Sequence, residues 1–311
     1  MRVIIFGATG MVGQGAVNAC LNDPIVSQVL AIGRTAPNRT HAKMLALVQS
    51  DLFDLEGVLA DHSGYDACFF CLGTSSSGVD EASYARITYD LTLTVAEVLS
   101  RLNPGMTFVY VSGVGTDGTE RGRSMWARVK GRTENALQRL PFKAVYLFRP
   151  GIILPLDGIR SKTRSYRLTY AVIGPLLTLL RPLMPNIVLT TDGVGRAMIA
   201  AVRRGASKNA LEPHDIYALT LESNRDHLVV WHSFLTMSRM DARRRNARAL
   251  RLRHSQSLAN RRQRLSQAIV RSTIQRFGNT VNPFATSDRL TISTSTCRIA
   301  WRRPVWNCGP W

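Results

Sequence analysis

Along the first two-thirds of the chain, short apolar runs alternate with longer stretches whose apolar positions recur every three or four residues. The runs Arg2–Phe6, Val29–Gly33, Ala46–Gln49, Ala67–Leu72, Thr107–Ser112 and Ala144–Phe148 are rich in β-branched and aromatic residues. They read as strands buried on both faces of a parallel sheet. Helical periodicity falls between them, most clearly at Glu81–Leu102 and Ser124–Leu140, and again at Gln14–Leu21 and near Asp192–Arg204. This order predicts an α/β fold of the Rossmann type, a doubly wound parallel sheet with helices on both faces. Right-handed crossovers would place a ligand crevice at the carboxyl ends of the strands.

The pattern fails beyond about residue 220. Asp241–Phe277 is Arg-rich with a ragged apolar stripe, and Asn279–Trp311 is rich in Ser and Thr with scattered Trp and Cys. The expected organisation is therefore one domain over residues 1–220, with a substrate-side segment at 151–190, and a basic, poorly ordered extension over 221–311. The net charge of +19 changes meaning once it is located. The stretch Leu221–Trp311 has 17 Arg, no Lys and four acids, so +13 of the charge sits there. Nucleic-acid binding through this tail is the weakest of three readings, since lysine is absent and the Trp residues lie outside the Arg cluster. A solvated extension, or translation of an alternative frame past the domain's end near Leu219, accounts better for the change in composition.

The remaining bulk properties set limits. The most membrane-like stretch, Leu168–Leu180, contains Gly174 and Pro175 and is stopped by Arg181 and Pro182, so it is too short to span a bilayer. The chain opens on a strand with no room for a secretory signal, and five cysteines form no disulfide framework, which together suggest a cytoplasmic setting. Cys68 and Cys71 stand three apart on a strand, facing opposite ways, which argues against a redox or zinc pair. Oligomeric state is left open.

The most informative chemistry follows the first strand. Gly7-Ala8-Thr9-Gly10-Met11-Val12-Gly13 joins Val3-Ile4-Ile5-Phe6 to a helical stretch. Glycines at this spacing permit a tight turn, close approach of a pyrophosphate to the main chain, and close packing of the helix on the sheet. The free N–H groups at the helix start would face the anion.

Together with Cys71-Leu72-Gly73-Thr74, Tyr110-Val111-Ser112-Gly113, Val129-Lys130-Gly131 followed by Glu134, and Phe148-Arg149-Pro150-Gly151, this loop resembles the atypical short-chain dehydrogenase/reductases. The likeness is to the NAD(P)-binding epimerase-like and NmrA-like members, over residues 1–205 or so. The resemblance implies a dinucleotide across the strand ends, with its pyrophosphate on the backbone from Gly7 through Thr9, Gly10, Met11, Val12 and Gly13. It implies Asp51 at the adenine, an alternative being a turn or helix-cap role. Leu72, Gly73 and Thr74 would wall the ribose and nicotinamide side. The end of the second strand reads Ile32-Gly33-Arg34, where NAD-selective domains carry an acid for the ribose 2′-OH. A guanidinium there suits a 2′-phosphate, so NADP(H) is expected over NAD(H), with NAD(H) still possible.

The catalytic signature departs from the family. The implied Tyr-x-x-x-Lys appears as Trp126-Ala127-Arg128-Val129-Lys130. Lys130 is in place to hold the nicotinamide ribose, but an indole N–H cannot cycle a proton near neutral pH. Ser112 is the candidate for orienting a substrate carbonyl, with Thr116 as the alternative. Tyr84, Tyr89 and Tyr166 are other possible proton sources. The expectation is an NADPH-linked oxidoreductase or epimerase-like enzyme acting on a small carbonyl or sugar-like substrate. The alternative is a non-catalytic dinucleotide sensor or scaffold.

Overall fold

The structure, a computed structural model, describes residues 1–155, 187–223 and 256–268. The substrate-side positions 156–186, with Tyr166, and nearly all of the basic extension lie outside these residues. Two compact units are found, Met1–Leu235 and Thr236–Trp311. In the second, residues 256–268 form a helix whose side chains are all exposed.

Within the first unit, β1 (Arg2–Phe6), β2 (Gln28–Gly33), β3 (Met44–Val48), β4 (Ala67–Phe70), β5 (Thr107–Val111), β6 (Ala144–Phe148) and β9 (Ala210–Leu211) form one sheet. Its order is β3-β2-β1-β4-β5-β6-β9 and every pairing is parallel. The order turns back between β1 and β4, the place where open α/β sheets leave a crevice at the strand ends. A separate pair, β7 (Ile152–Leu154) and β8 (Val188–Thr190), also runs parallel. The six expected strands are present to within two residues at each end.

The pleat explains why β1 is apolar throughout. Val3 and Ile5 point into one core with α1 (Met11–Asn22) and α6 (Thr191–Arg204), while Ile4 and Phe6 point into the other. On that second face Phe6, Phe70 and Phe108 stack in sequence across three strands, with ring centroids 5.4 and 5.9 Å apart. The helical pattern Glu81–Leu102 is one continuous rod built of α3 (Glu81–Ala85), a π turn (Arg86–Asp90) and α4 (Leu91–Leu102). Asp80 caps its start by accepting from the Ser83 N–H at 2.9 Å.

Two further features place the site. A Cβ on Gly15 of α1 would stand 2.3 Å from the Thr191 carbonyl oxygen, and one on Gly195 2.8 Å from the Gly15 carbonyl oxygen. Small residues thus let α1 and α6 pack closely, which fixes the helix that carries the glycine loop. On the other side, Gly131 of α5 (Met125–Leu137) would place a Cβ 1.8 Å from the Asp117 carbonyl oxygen, so α5 lies directly against the loop after β5.

Candidate functional site: a glycine-lined cleft beside a closed polar cluster

The cleft opens at the switch point. Gly7, Ala8, Thr9 and Gly10 line it from the first loop, and Ile32, Gly33, Arg34, Thr35 and Pro37 from the end of β2. Leu52 supplies the floor, and Cys71, Leu72 and Gly73 form the wall beyond β4. Gly7 has φ +73°, and a Cβ there would lie 2.7 Å from the Leu72 N, so the tight turn requires glycine for both conformation and space. The turn is closed by Gly10 N–H donating to the Gly7 carbonyl at 2.9 Å. A Cβ on Gly13 would come within 2.1 Å of that same carbonyl oxygen. Gly10 differs in kind. Its imagined Cβ would meet only the Gly7 oxygen, at 3.3 Å, and is otherwise open. It is also the N-cap of α1 and has no side chain, which leaves the first-turn N–H groups to a ligand anion. A pyrophosphate fits this cradle.

Of the other cofactor candidates, Met11 and Val12 begin α1 half-buried, and Val12 packs against the core rather than lining the cleft. Thr74 is exposed just past the wall. Arg34 is exposed at the rim and lines the cleft. The other basic residues after it are engaged elsewhere. Lys43 Nζ donates to the carbonyls of Asp23 and Leu21, at 2.8 and 3.2 Å, closing the carboxyl end of α1. Arg39 donates to the Asn18 side chain. Asp51 is exposed and accepts from the Phe53 N–H at 2.9 Å, so its carboxylate builds a local turn, and Leu52 is what faces the cleft.

Cys71 is a lining residue that sequence reasoning missed. Burial pushes its thiol up to about 12, so it presents a neutral wall at physiological pH. Cys68 is wholly buried within β4. Among the described residues no group of His, Cys, Asp or Glu has the arrangement of a metal site.

One strand along from the cleft wall, at the end of β5, the arrangement is closed by the protein's own side chains. Ser112 Oγ donates to Glu134 Oε1 at 2.5 Å and lies 3.2 Å from the Phe148 carbonyl, so its hydroxyl turns inward. Glu134 also accepts from Arg149 through Nε at 3.1 Å and through Nη2, and Arg149 Nη1 reaches Glu212 at 3.1 Å. The paired carboxylates push the Arg149 guanidinium further above its already high range. Lys130, one turn before Glu134, donates Nζ to the Ser112 carbonyl at 2.6 Å and lies 3.4 Å from the Val111 carbonyl. Burial lowers it to about 8, against an opposing pull from Glu134.

Thr116 donates to the Gly113 carbonyl at 2.7 Å and is buried. Trp126 is half-buried, with the edge of its six-membered ring beside Gly115, where a Cβ would lie 3.5 Å from Cη2 and φ is +85°. Tyr84 is almost fully buried, and burial raises its phenol above the usual range. Tyr89 stacks under the Arg132 guanidinium, 4.0 Å from the ring centre. The structure therefore brings Ser112, Lys130, Glu134 and Arg149 together. The role of Glu134 as their hub is visible in sequence only as an acid four residues after Lys130.

Residues 3–128 match the model of the NAD dependent epimerase/dehydratase family. The match agrees with the wider resemblance to the atypical short-chain dehydrogenase/reductases. Among similar proteins, fmp52-2 of Aspergillus oryzae, named as mitochondrial, is 27% identical over 223 residues, covering 69% of this chain and 95% of that protein. The HTATIP2 protein of Rattus norvegicus is 27% identical over 210 residues, covering 61% of this chain and 83% of its own length. An oxidoreductase of the short-chain dehydrogenase/reductase family from Burkholderia thailandensis shares the fold at a TM-score of 0.50 and 18% identity, over 68% of this chain and 89% of that one. The fungal relatives correct one expectation. Several are named as mitochondrial proteins, which points away from the cytoplasmic setting inferred from cysteine usage. Reduced thiols do not distinguish the two compartments. No described helix is long and apolar enough to cross a membrane.

Proposed function

We propose that this protein binds NADP(H) and uses it as an oxidoreductase on a small carbonyl substrate. The observation that carries the reading is the open backbone cradle at Gly7–Gly10 with a cation, Arg34, at the opposite rim of the same cleft. A dinucleotide laid across the strand ends would put its pyrophosphate on the α1 N-terminus and its adenosine end toward β2. There Arg34 would meet a 2′-phosphate with charge-assisted hydrogen bonds, and no acid stands at that strand end to favour a free 2′-hydroxyl. Bound there, the group would supply hydride. The protein's part is to hold it, exclude water and manage one proton at the end of β5. Titration with NADPH and NADH tests the selectivity, and equal affinities at physiological salt would contradict the role of Arg34. By its named fungal relatives, the setting we favour is mitochondrial.

A second reading, a dinucleotide-binding sensor without turnover, is favoured by two specific features. Trp126 stands one turn before Lys130, and the Ser112 hydroxyl is committed to Glu134. Following NADPH absorbance with a panel of small aldehydes and ketones separates the two. Consumption of NADPH supports the enzyme, while tight binding with no consumption supports the sensor.

A further inference from the structure

Among the described residues at the end of β5, Ser112, Thr116, Trp126 and Lys130 carry exchangeable protons. The Ser112 hydroxyl is spent on Glu134 and the Thr116 hydroxyl on the Gly113 carbonyl. An indole does not exchange its proton in acid–base chemistry near neutrality. Lys130 differs in both position and chemistry. Its Nζ rests over the main-chain carbonyls of Ser112 and Val111, on the strand next to β4, whose end forms the cleft wall. Adjacent strands lie about 5 Å apart, so the strand end whose carbonyls hold the ammonium stands one strand's width from β4.

We propose that Lys130 is the general acid of the reduction, donating a proton from Nζ to the substrate oxygen. This rests on the oxidoreductase reading above. The carbonyl carbon accepts a hydride from the reduced nicotinamide, and its π pair moves to oxygen. The new O–H bond forms as one Nζ–H bond breaks. NADPH is thereby oxidised to NADP⁺, the carbonyl is reduced to an alcohol, and Lys130 is left as a neutral amine that water reprotonates.

The surroundings suit this exchange. Tyr110, whose ring centre is 5.9 Å from Nζ, is held neutral by burial, so it contributes no charge from β5. Glu134 on the same helix pulls toward the charged form, but its carboxylate is shared with Arg149 from the end of β6 and with Ser112. The net effect leaves the amine titrating near 8, where a donor is both charged at neutral pH and able to part with its proton. The two main-chain acceptors hold Nζ through oxygens that themselves never titrate.

Two substitutions in the full-length protein separate proton donation from mere charge. Lys130→Arg keeps a cation that cannot deprotonate. At saturating NADPH, carbonyl reduction is expected to fall by about a hundredfold or more. Wild-type turnover should be flat below about pH 8 and fall above it. A readout free of substrate is available because the chain has only five lysines. The ¹³C resonance of reductively methylated Lys130, identified by its loss in Lys130→Met, should titrate near 8 in the unliganded protein. Reduction by Lys130→Arg within about tenfold of wild type, or a resonance titrating above about 10, overturns the proposal while the oxidoreductase reading stands. A wild-type protein that binds NADPH and reduces no carbonyl overturns both, and that failure shows before any variant is made.

Discussion

The two sides of the switch point are built on opposite plans. Around β1 and β2 the site is made of absence: Gly7, Gly10 and Gly13 leave the main chain bare, and Arg34 reaches the cleft rim. Around β5 and β6 it is made of mutual satisfaction, with Ser112, Glu134, Arg149 and Glu212 bonding one another and Lys130 resting on carbonyls. The first side is prepared for something outside the chain. The second is prepared to hold its own charges in a fixed place. A binding half and a chemical half need different designs. Open backbone supplies affinity for phosphate, whereas a proton donor must be kept at a set position and set charge.

This contrast makes separable predictions. The largest effect is expected from Glu134→Ala, which removes the buried acceptor of the Ser112 hydroxyl and one of the two carboxylates that hold Arg149. We expect a loss of about 3–5 kcal/mol in urea unfolding, the usual result of breaking one partner of a buried pair. NADPH affinity of the folded fraction should stay within about threefold, because nothing in the glycine cradle touches Glu134. Next comes Gly13→Ala, whose methyl would sit 2.1 Å from the Gly7 carbonyl oxygen. It should cost about 2–3 kcal/mol and, unlike the first variant, weaken NADPH by about a hundredfold, since the loop itself must shift. Titration calorimetry on both variants sharpens the division, and Glu134→Ala losing NADPH as strongly as Gly13→Ala would break it.

A smaller effect is expected at the rim. Arg34→Ala should weaken NADPH by about tenfold and leave NADH unchanged, the size of one charge-assisted contact to phosphate. The last concerns pH. Burial lowers Lys130 from 10.5 to about 8, so between these values the unfolded chain binds a proton that the folded chain does not. Its contribution to stability therefore rises as pH rises from about 8 to about 10.5. Lys130→Met should flatten that part of the stability profile, measured by urea midpoints.

Most of the fold was legible because the strands carry runs such as Val3-Ile4-Ile5-Phe6, buried on both faces and so apolar at every position. The glycine loop was legible for a related reason, since spacing alone encodes a turn, an approach and a packing contact. The end of β5 was not. Whether Ser112 points to the crevice or inward depends on Glu134 and Arg149, which lie 22 and 37 positions further along the chain. Asp51, which the resemblance put at the adenine with a turn role as the alternative, accepts from the Phe53 N–H, a contact that its place after β3 did not specify. Lys43 follows the same strand end as Arg34, yet the open carbonyls at the end of α1 hold it. In each case a local hydrogen bond decided what pattern alone had left open.

The central claim is that the open half of the site is built for a phosphorylated dinucleotide. Parallel calorimetric titrations of the wild-type protein with NADPH and NADH at physiological salt test it most directly. The account predicts NADPH bound at least about tenfold more tightly than NADH. Equal affinities, or tighter NADH, would contradict it.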